Sequence, residues 1–174
     1  VLDRFLFGTT VRISREAPVP VIRYEGETLL PGGAANAAAN LASLGGQVAV
    51  VGLVGADDAG EQLCHLLSES GVDISGIVRS EQRATVTKTR VMAGGLGTVR
   101  QQVLRLDKEP EGLPDPLAQK ELAAQLKARR ASADVLVLSD YGYGAIQPEC
   151  LDLASGPPAV VDSRGQLRRF QGAH

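Results

Sequence analysis

The residues most suggestive of chemistry are a pair of glycines and the asparagine that follows them three residues later. Gly32 and Gly33 have no Cβ, so their backbone can approach a ligand closely. Asn36 adds one polar side chain at the start of a small-residue helix, residues 34–44, which leads into an apolar strand at residues 48–54. The pair could form a plain turn, and Asn36 could satisfy a backbone amide at the helix start. The whole spacing nevertheless favours a small-molecule site beside an α/β core.

Three carboxylates, those of Asp3, Asp140 and Asp162, directly follow apolar runs. In open α/β sheets, ligands bind beyond the carboxyl ends of the strands. Each carboxylate taken alone is more simply explained as a cap on the next helix or turn. Together with the glycine pair and Asn36, they predict a convergent polar site.

A glycine-rich turn separates two short apolar-polar runs that carry Lys88, Arg90 and Arg105. Lys88 and Arg90 are two residues apart on one predicted strand, so their side chains share a face. Arg105, on the partner strand, could join them. A cationic face of this kind suits a phosphate group on a substrate. A solvated charged face is an equally good interpretation.

Strands that alternate with helices predict a doubly wound, mostly parallel α/β sheet. After the first helix and strand, the expected helices are residues 57–70, 114–130 and 148–154, and the expected strands are residues 72–78, 134–138 and 159–161. Two ribbons, residues 12–30 and 85–107, do not fit this alternation. We expect them to form a small separate β lid over one end of the core.

Composition excludes several functional classes. The formal net charge is −2 without a basic block, so nothing favours nucleic-acid binding. The longest apolar runs fall far below the ~18 residues that a membrane span needs. Cys64 and Cys150 match no metal or redox spacing, and with only two histidines we expect no metal cluster of histidine and cysteine ligands. Buried reduced thiols in a cytoplasmic protein are the expected state.

The spacing of the glycine pair, Asn36, Ala38, Gly45 and Gly55 resembles the first signature of the ribokinase-like (phosphofructokinase B) carbohydrate kinases. More narrowly, the chain is similar to the kinase domain of bacterial heptose 7-phosphate kinases. The similar segments, which recur in that group in the same order, are residues 2–5, 12–21, 31–36, 87–90, 105–107 and 138–141.

This resemblance implies transfer of the γ-phosphate of ATP, with Mg²⁺, to the anomeric hydroxyl of a heptose 7-phosphate used to build lipopolysaccharide. By the matched positions, sugar hydroxyls would contact Asp3, Gly32, Gly33, Asn36 and Asp140. Lys88 and Arg90, with Arg105 beside them, are our own candidates for the substrate phosphate. The resemblance would also place Asp162 and Arg164 near the nucleotide phosphates, and the β lid in the contact of a homodimer.

The second signature of the family, a Gly-Ala-Gly-Asp segment that supplies the catalytic base, does not occur in these 174 residues. We therefore expect residues 1–174 to be the N-terminal part of a kinase domain, inactive alone, with the nucleotide-binding part and the base beyond residue 174. The glycine-rich loop at residues 92–99 and Asp-Ser-Arg at residues 162–164 also depart from the group. The alternatives are a kinase for another sugar or sugar phosphate, a non-catalytic sugar-binding module, and a structural dimerisation unit.

Overall fold

The computed structural model describes residues 1–95, 97–147, 151, 153 and 156–170. Its strands are β1 (Leu2–Ile13), β2 (Pro20–Pro31), β3 (Ala49–Gly55), β4 (Asp73–Ser80), β5 (Thr87–Gly94), β6 (Gln101–Lys108), β7 (Leu136–Asp140) and β8 (Ala159–Ser163). Its helices are α1 (Ala34–Ser43), α2 (Asp58–Glu69) and α3 (Pro116–Arg130). In the described ranges, no helix is long and apolar enough to cross a membrane. The helix predicted at residues 148–154 lies mostly outside them, as does Cys150.

Both expected ribbons enter one four-stranded sheet, in the order β2-β1-β5-β6. β1 pairs antiparallel with β2 and parallel with β5, which forms the predicted hairpin with β6. The first ribbon begins earlier than residue 12, because β1 is one continuous strand from Leu2. Gly8 shifts the pairing register between β1 and β2 without ending β1. It lies at a β-bulge, where a Cβ would come 2.5 Å from the carbonyl oxygen of Arg23.

Two further parallel pairs, β3–β4 and β7–β8, form separate two-stranded sheets, so the chain has the predicted α/β class. The largest buried cluster joins Leu2 of β1 to α1, α2 and β3, with the free thiol of Cys64 inside it. α3 packs Ala118 and Leu122 against Val78 of β4. The near-continuous apolar character of β3 follows from burial of a parallel strand between helices.

Polar contacts at Asp57 join the four-stranded sheet to the core. Asp57 caps α2 by accepting a hydrogen bond from the amide of Gly60 at 3.0 Å. It also accepts bonds from the hydroxyl and the amide of Thr85, at 2.6 and 3.1 Å, just before β5. Lys108, at the end of β6, donates to the same carboxylate at 3.2 Å. One carboxylate therefore holds both the outgoing and the returning crossover of the β5–β6 hairpin.

The pKa of Asp57 follows from these contacts. Burial raises it, but the hydrogen bonds from Thr85, Gly60 and Lys108 together bring the pKa below its ordinary value. A depressed carboxylate pKa contributes stability that is fully present above the unfolded-state value of about 3.9 and is lost as pH falls through the folded-state value. The capping and crossover contacts should therefore weaken in acid.

We predict that Asp57→Asn lowers the free energy of unfolding at pH 7 by about 1–3 kcal/mol, the usual range for a lost cap and partly buried hydrogen bonds. Below about pH 4 the variant should lose stability less steeply than the wild type, because it lacks this titration. Urea unfolding between pH 2.5 and 7 measures both effects. Asp134→Asn, at an exposed carboxylate, is the matched control. Parallel pH profiles for wild type and Asp57→Asn would contradict the assignment.

Candidate functional site

The carboxylate of Asp3 lies against the backbone of Gly32. A Cβ built on Gly32 would come 2.6 Å from Oδ2 of Asp3, so no other residue fits there without moving the carboxylate. The amide of Gly32 donates to the carbonyl oxygen of Val1 at 2.9 Å, which fixes the loop beside the start of β1. Asp3 thus lies beside the glycine pair, but it is inside β1 and not at a strand end. The prediction of a strand end was wrong because β1 continues for ten more residues.

Gly33 stands at the N-cap position of α1 with φ of +55°, a left-handed conformation that favours glycine. A Cβ on Gly33 would lie 3.3 Å from the ring of Tyr141, which directly follows β7. Asn36 lies exposed in the first turn of α1. The glycine loop therefore lies between the start of β1 and the end of β7. Sequence reasoning missed Tyr141, although its position right after Asp140 is a usable signal.

The three predicted cations share one face of the four-stranded sheet. The register places Lys88 beside Asp3 on β1 and opposite Asp107 on β6, and it places Arg90 opposite Arg105. The face carries mixed charges, because two carboxylates lie among the cations. This interleaving is invisible in the spacing of Lys88 and Arg90 alone.

Both arginines of this face are ion-paired. Arg90 donates to Oδ1 of Asp3 at 2.7 Å, and both side chains are about one-fifth exposed, at 22% and 21%. Arg105 forms a two-pronged pair with Asp107 on its own strand, with Nε to Oδ1 at 2.7 Å. This pairing raises the pKa of Arg105 and lowers that of Asp107. Lys88 forms no ion pair within the described part of the chain.

Aromatic rings of β1 support two guanidinium groups on the same face. Phe5 and Phe7 stack with ring centroids 6.5 Å apart. Arg90 lies 5.1 Å from the centroid of Phe5, and Arg100 lies 5.6 Å from that of Phe7. Arg100 also pairs with Glu25 of β2 at 2.5 Å. Stacking and ion pairing together restrict the orientations of both guanidinium groups.

Asp140 ends β7 and is 5% exposed. Its carboxylate accepts hydrogen bonds from the amide of Gly142 and the hydroxyl of Ser163, both at 2.9 Å, and its carbonyl oxygen accepts one from the amide of Arg164 at 2.9 Å. Both carboxylate oxygens are therefore already engaged, in contacts that hold the loop after β7 against β8. Asp162 and Arg164 lie exposed at the end of β8.

A second tyrosine after β7, Tyr143, also lies beside these cations, and the sequence analysis did not identify it. The ammonium of Lys88 lies 6.0 Å from the centroid of its ring. Across the described ranges, no three histidine, cysteine, aspartate or glutamate side chains group as metal ligands. The arrangement offers a carboxylate for hydroxyl groups, with a bare glycine backbone on one side of it and cations for an anion on the other.

Residues 5–104 match the family described as pfkB family carbohydrate kinase. The chain is 40% identical over 180 residues to the bifunctional protein HldE of Caulobacter sp. (strain K31), and 44% identical over 178 residues to that of Halorhodospira halophila (strain DSM 244 / SL1). Each alignment covers 99% of this chain but only 35% and 36% of the relative. The chain thus spans about a third of the length of these relatives.

Solved structures have the same fold. Phosphofructokinase-2 from Escherichia coli in complex with fructose-6-phosphate matches with a TM-score of 0.70 at 22% identity, over 95% of this chain and 52% of that chain. A putative phosphofructokinase from Staphylococcus aureus matches with a TM-score of 0.69 at 13% identity, over 97% and 53%. The ribokinase-like α/β fold with an incomplete sheet and a small β lid, predicted from the sequence, is confirmed.

We predict that Gly32→Ala lowers the free energy of unfolding by about 1–3 kcal/mol, because its Cβ overpacks the site and displaces the Asp3 carboxylate. Gly26→Ala, in β2 six residues before Gly32, is the matched control, since a Cβ there meets nothing within 4 Å. It should change stability by less than about 0.5 kcal/mol. Urea denaturation of both variants makes the comparison. Equal effects of the two substitutions would show that Gly32 is not required for the approach of Asp3.

Proposed function

The chain belongs to the pfkB family of carbohydrate kinases, and on that basis we propose that it forms the sugar-binding and lid part of an ATP-dependent sugar-phosphate kinase. The acceptor that we propose is the anomeric hydroxyl of a heptose 7-phosphate. The resemblance to heptose 7-phosphate kinases supports this choice. The HldE relatives support it too, since they are 40% and 44% identical in alignments that cover 99% of this chain.

One observation carries the proposal, namely the placement of Asp3 between Gly32 and the cationic residues of β5. A carboxylate accepts hydrogen bonds from sugar hydroxyls, and ammonium or guanidinium groups bind phosphate. The Arg90 guanidinium is 2.7 Å from Oδ1 of Asp3, and Lys88 is the register partner of Asp3 on β5. A substrate that carries both hydroxyl groups and a phosphate therefore matches the chemistry of this surface. Asn36, exposed beside the glycine loop, adds a donor and an acceptor for hydroxyls.

The three cations differ in whether they form an ion pair in the absence of substrate. Arg90 is held by Asp3 and Arg105 by Asp107, whereas Lys88 forms no ion pair in the described residues. We assign the leading contact with the substrate phosphate to Lys88. Arg90 then bridges the phosphate and the Asp3 carboxylate, which orients that carboxylate toward the sugar.

On the nucleotide side, we assign Asp162 and Arg164, which lie exposed at the end of β8. ATP supplies the phosphoryl group, and the Arg164 guanidinium suits its phosphate oxygens. Mg²⁺ prefers carboxylate, phosphate and water oxygens. Asp162 would be one ligand of the ion, with phosphate and water oxygens supplying the others, since the described residues hold no group of three such side chains. The role that we assign to Asp140 is to hold the loop after β7 against β8, and a contact with the sugar is secondary.

A homodimer through the four-stranded sheet is part of the proposal. Leu104 and Leu106 of β6 alternate with Arg105 and Asp107, so they lie on the opposite face of the sheet, where they are 51% and 56% exposed. We predict that Leu106→Lys shifts a dimer to monomer in analytical ultracentrifugation, whereas Leu117→Lys, at a 74% exposed position on α3, leaves its mass unchanged. A monomeric wild type at micromolar concentration would exclude this interface.

The principal test is Lys88→Met in the full natural product of the gene. We predict a rise of about ten- to hundredfold in KM for heptose 7-phosphate, from the loss of a charge-assisted contact, with little change for the unphosphorylated heptose. Lys120→Met, at an exposed position of α3, is the matched control. A spectrophotometric assay of ADP release gives both constants, and the 174-residue chain alone should show no turnover.

Other outcomes identify the alternatives. Equal KM values for phosphorylated and plain sugars in the wild type would favour a kinase for an unphosphorylated sugar. Sugar binding by calorimetry without ATP hydrolysis, even in the full natural product, would favour a non-catalytic binding module.

A further inference from the structure

Tyr143 connects the loop after β7 to the β4–β5 and β6–α3 crossovers. These segments meet beside the cation-bearing face, the face of the four-stranded sheet that carries Lys88, Arg90 and Arg105. The carbonyl oxygen of Tyr143 accepts a hydrogen bond from Arg83 at 2.6 Å, and Arg83 also donates to the carbonyl oxygen of Gly112 at 2.9 Å. Arg83 belongs to the crossover between β4 and β5, and Gly112 to the crossover between β6 and α3. One partly buried guanidinium thus fixes the backbone of Tyr143 relative to both crossovers of the hairpin.

The side chain of Tyr143 is fixed separately. Its hydroxyl donates to Oε1 of Glu109, just after β6, at 2.8 Å. Burial and then the neighbouring Glu109 carboxylate raise the pKa of Tyr143 to about 12, so the hydroxyl keeps its proton at neutral pH. The ring is therefore held at both ends, with its backbone on Arg83 and its hydroxyl on Glu109.

Lys88 lies over this ring, with its ammonium 6.0 Å from the centroid. That distance is at the outer limit of a cation–π contact, which is sufficient to bias a flexible side chain. A lysine stem has many rotamers, and restricting them in advance lowers the cost of binding an anion. The neighbouring arginines are held by ion pairs with Asp3 and Asp107, whereas in the described residues Lys88 has the ring contact without an ion pair.

We propose that Tyr143 is a positioning residue that holds the Lys88 ammonium toward the phosphate of the acceptor sugar, and so helps to select phosphorylated substrates. This inference rests on the proposed function, because it assigns the phosphate contact to Lys88. It adds a residue of the core loop to a specificity determinant that otherwise lies on the four-stranded sheet.

The test compares Tyr143→Leu, which removes the ring, with Tyr143→Phe, which keeps it. In the full natural product, Tyr143→Leu should raise KM for heptose 7-phosphate about three- to tenfold while kcat changes less than about twofold. Tyr143→Phe should restore KM to within about twofold of the wild type. Tyr24→Leu, at a 62% exposed tyrosine of β2, is the matched control, and thermal unfolding checks that every variant is folded.

A double-mutant cycle separates positioning from general loosening of the loop. If Tyr143 acts through Lys88, Tyr143→Leu should have no further effect on KM in a Lys88→Met background. Additive effects, or equal losses in the Phe and Leu variants, would overturn the inference.

Calorimetric titration with inorganic phosphate provides a readout that does not require kinase activity. Weaker phosphate binding by Tyr143→Leu than by Tyr143→Phe supports positioning even if heptose 7-phosphate is not the acceptor. Equal binding by the wild type and both variants overturns it. Failure of the wild type to phosphorylate any sugar phosphate, by contrast, would overturn the proposed function alone.

Discussion

The carboxylate of Asp3 reaches its position because residue 32 has no side chain. On one side it lies against the glycine backbone, where a Cβ would be 2.6 Å from Oδ2, and on the other it pairs with Arg90 at 2.7 Å. The first contact belongs to the core loop that begins α1, and the second belongs to the four-stranded sheet. A single carboxylate thus links the two parts of the molecule at the point where we place the substrate, and the cations are arranged outward from it.

The orientation of the sheet over the core depends on a small number of polar contacts at the crossovers. Asp57 holds Thr85 before β5 and Lys108 after β6, and Ser80 donates to Asp115, the cap of α3, at 3.3 Å. These groups are polar because the crossovers run between the core and the sheet, where backbone amides cannot all pair with neighbouring strands. The same crossovers fix Tyr143 and Glu109. The carboxylate that caps α2 thus also contacts the residues that lead into β5 and out of β6.

Local chemistry accounts for the elements that could be predicted. The stop of α1 near Gly45, the cap of α2 at Asp57, the hairpin of β5 and β6 and the proline at the first position of α3 all follow from preferences of a few adjacent residues. The extent of β1 was misjudged for the complementary reason. An apolar run followed by aspartate predicts a strand end, but Asp3 remains in the strand because Leu30 and Lys88 pair with it on both sides.

The composition of the site shows the same division. The glycine pair, Asn36 and the cations of β5 were identifiable from residue type and short spacing, because each property resides in the residue itself or in the alternation of a strand. Which side chains pair with one another could not be identified in this way. The pairing of Arg90 with Asp3 spans 87 residues, and that of Tyr143 with Glu109 spans 34. Such pairs are set by strand register and by crossovers that bring distant segments to one surface, and electrostatic interactions act through that spatial distance and not along the chain.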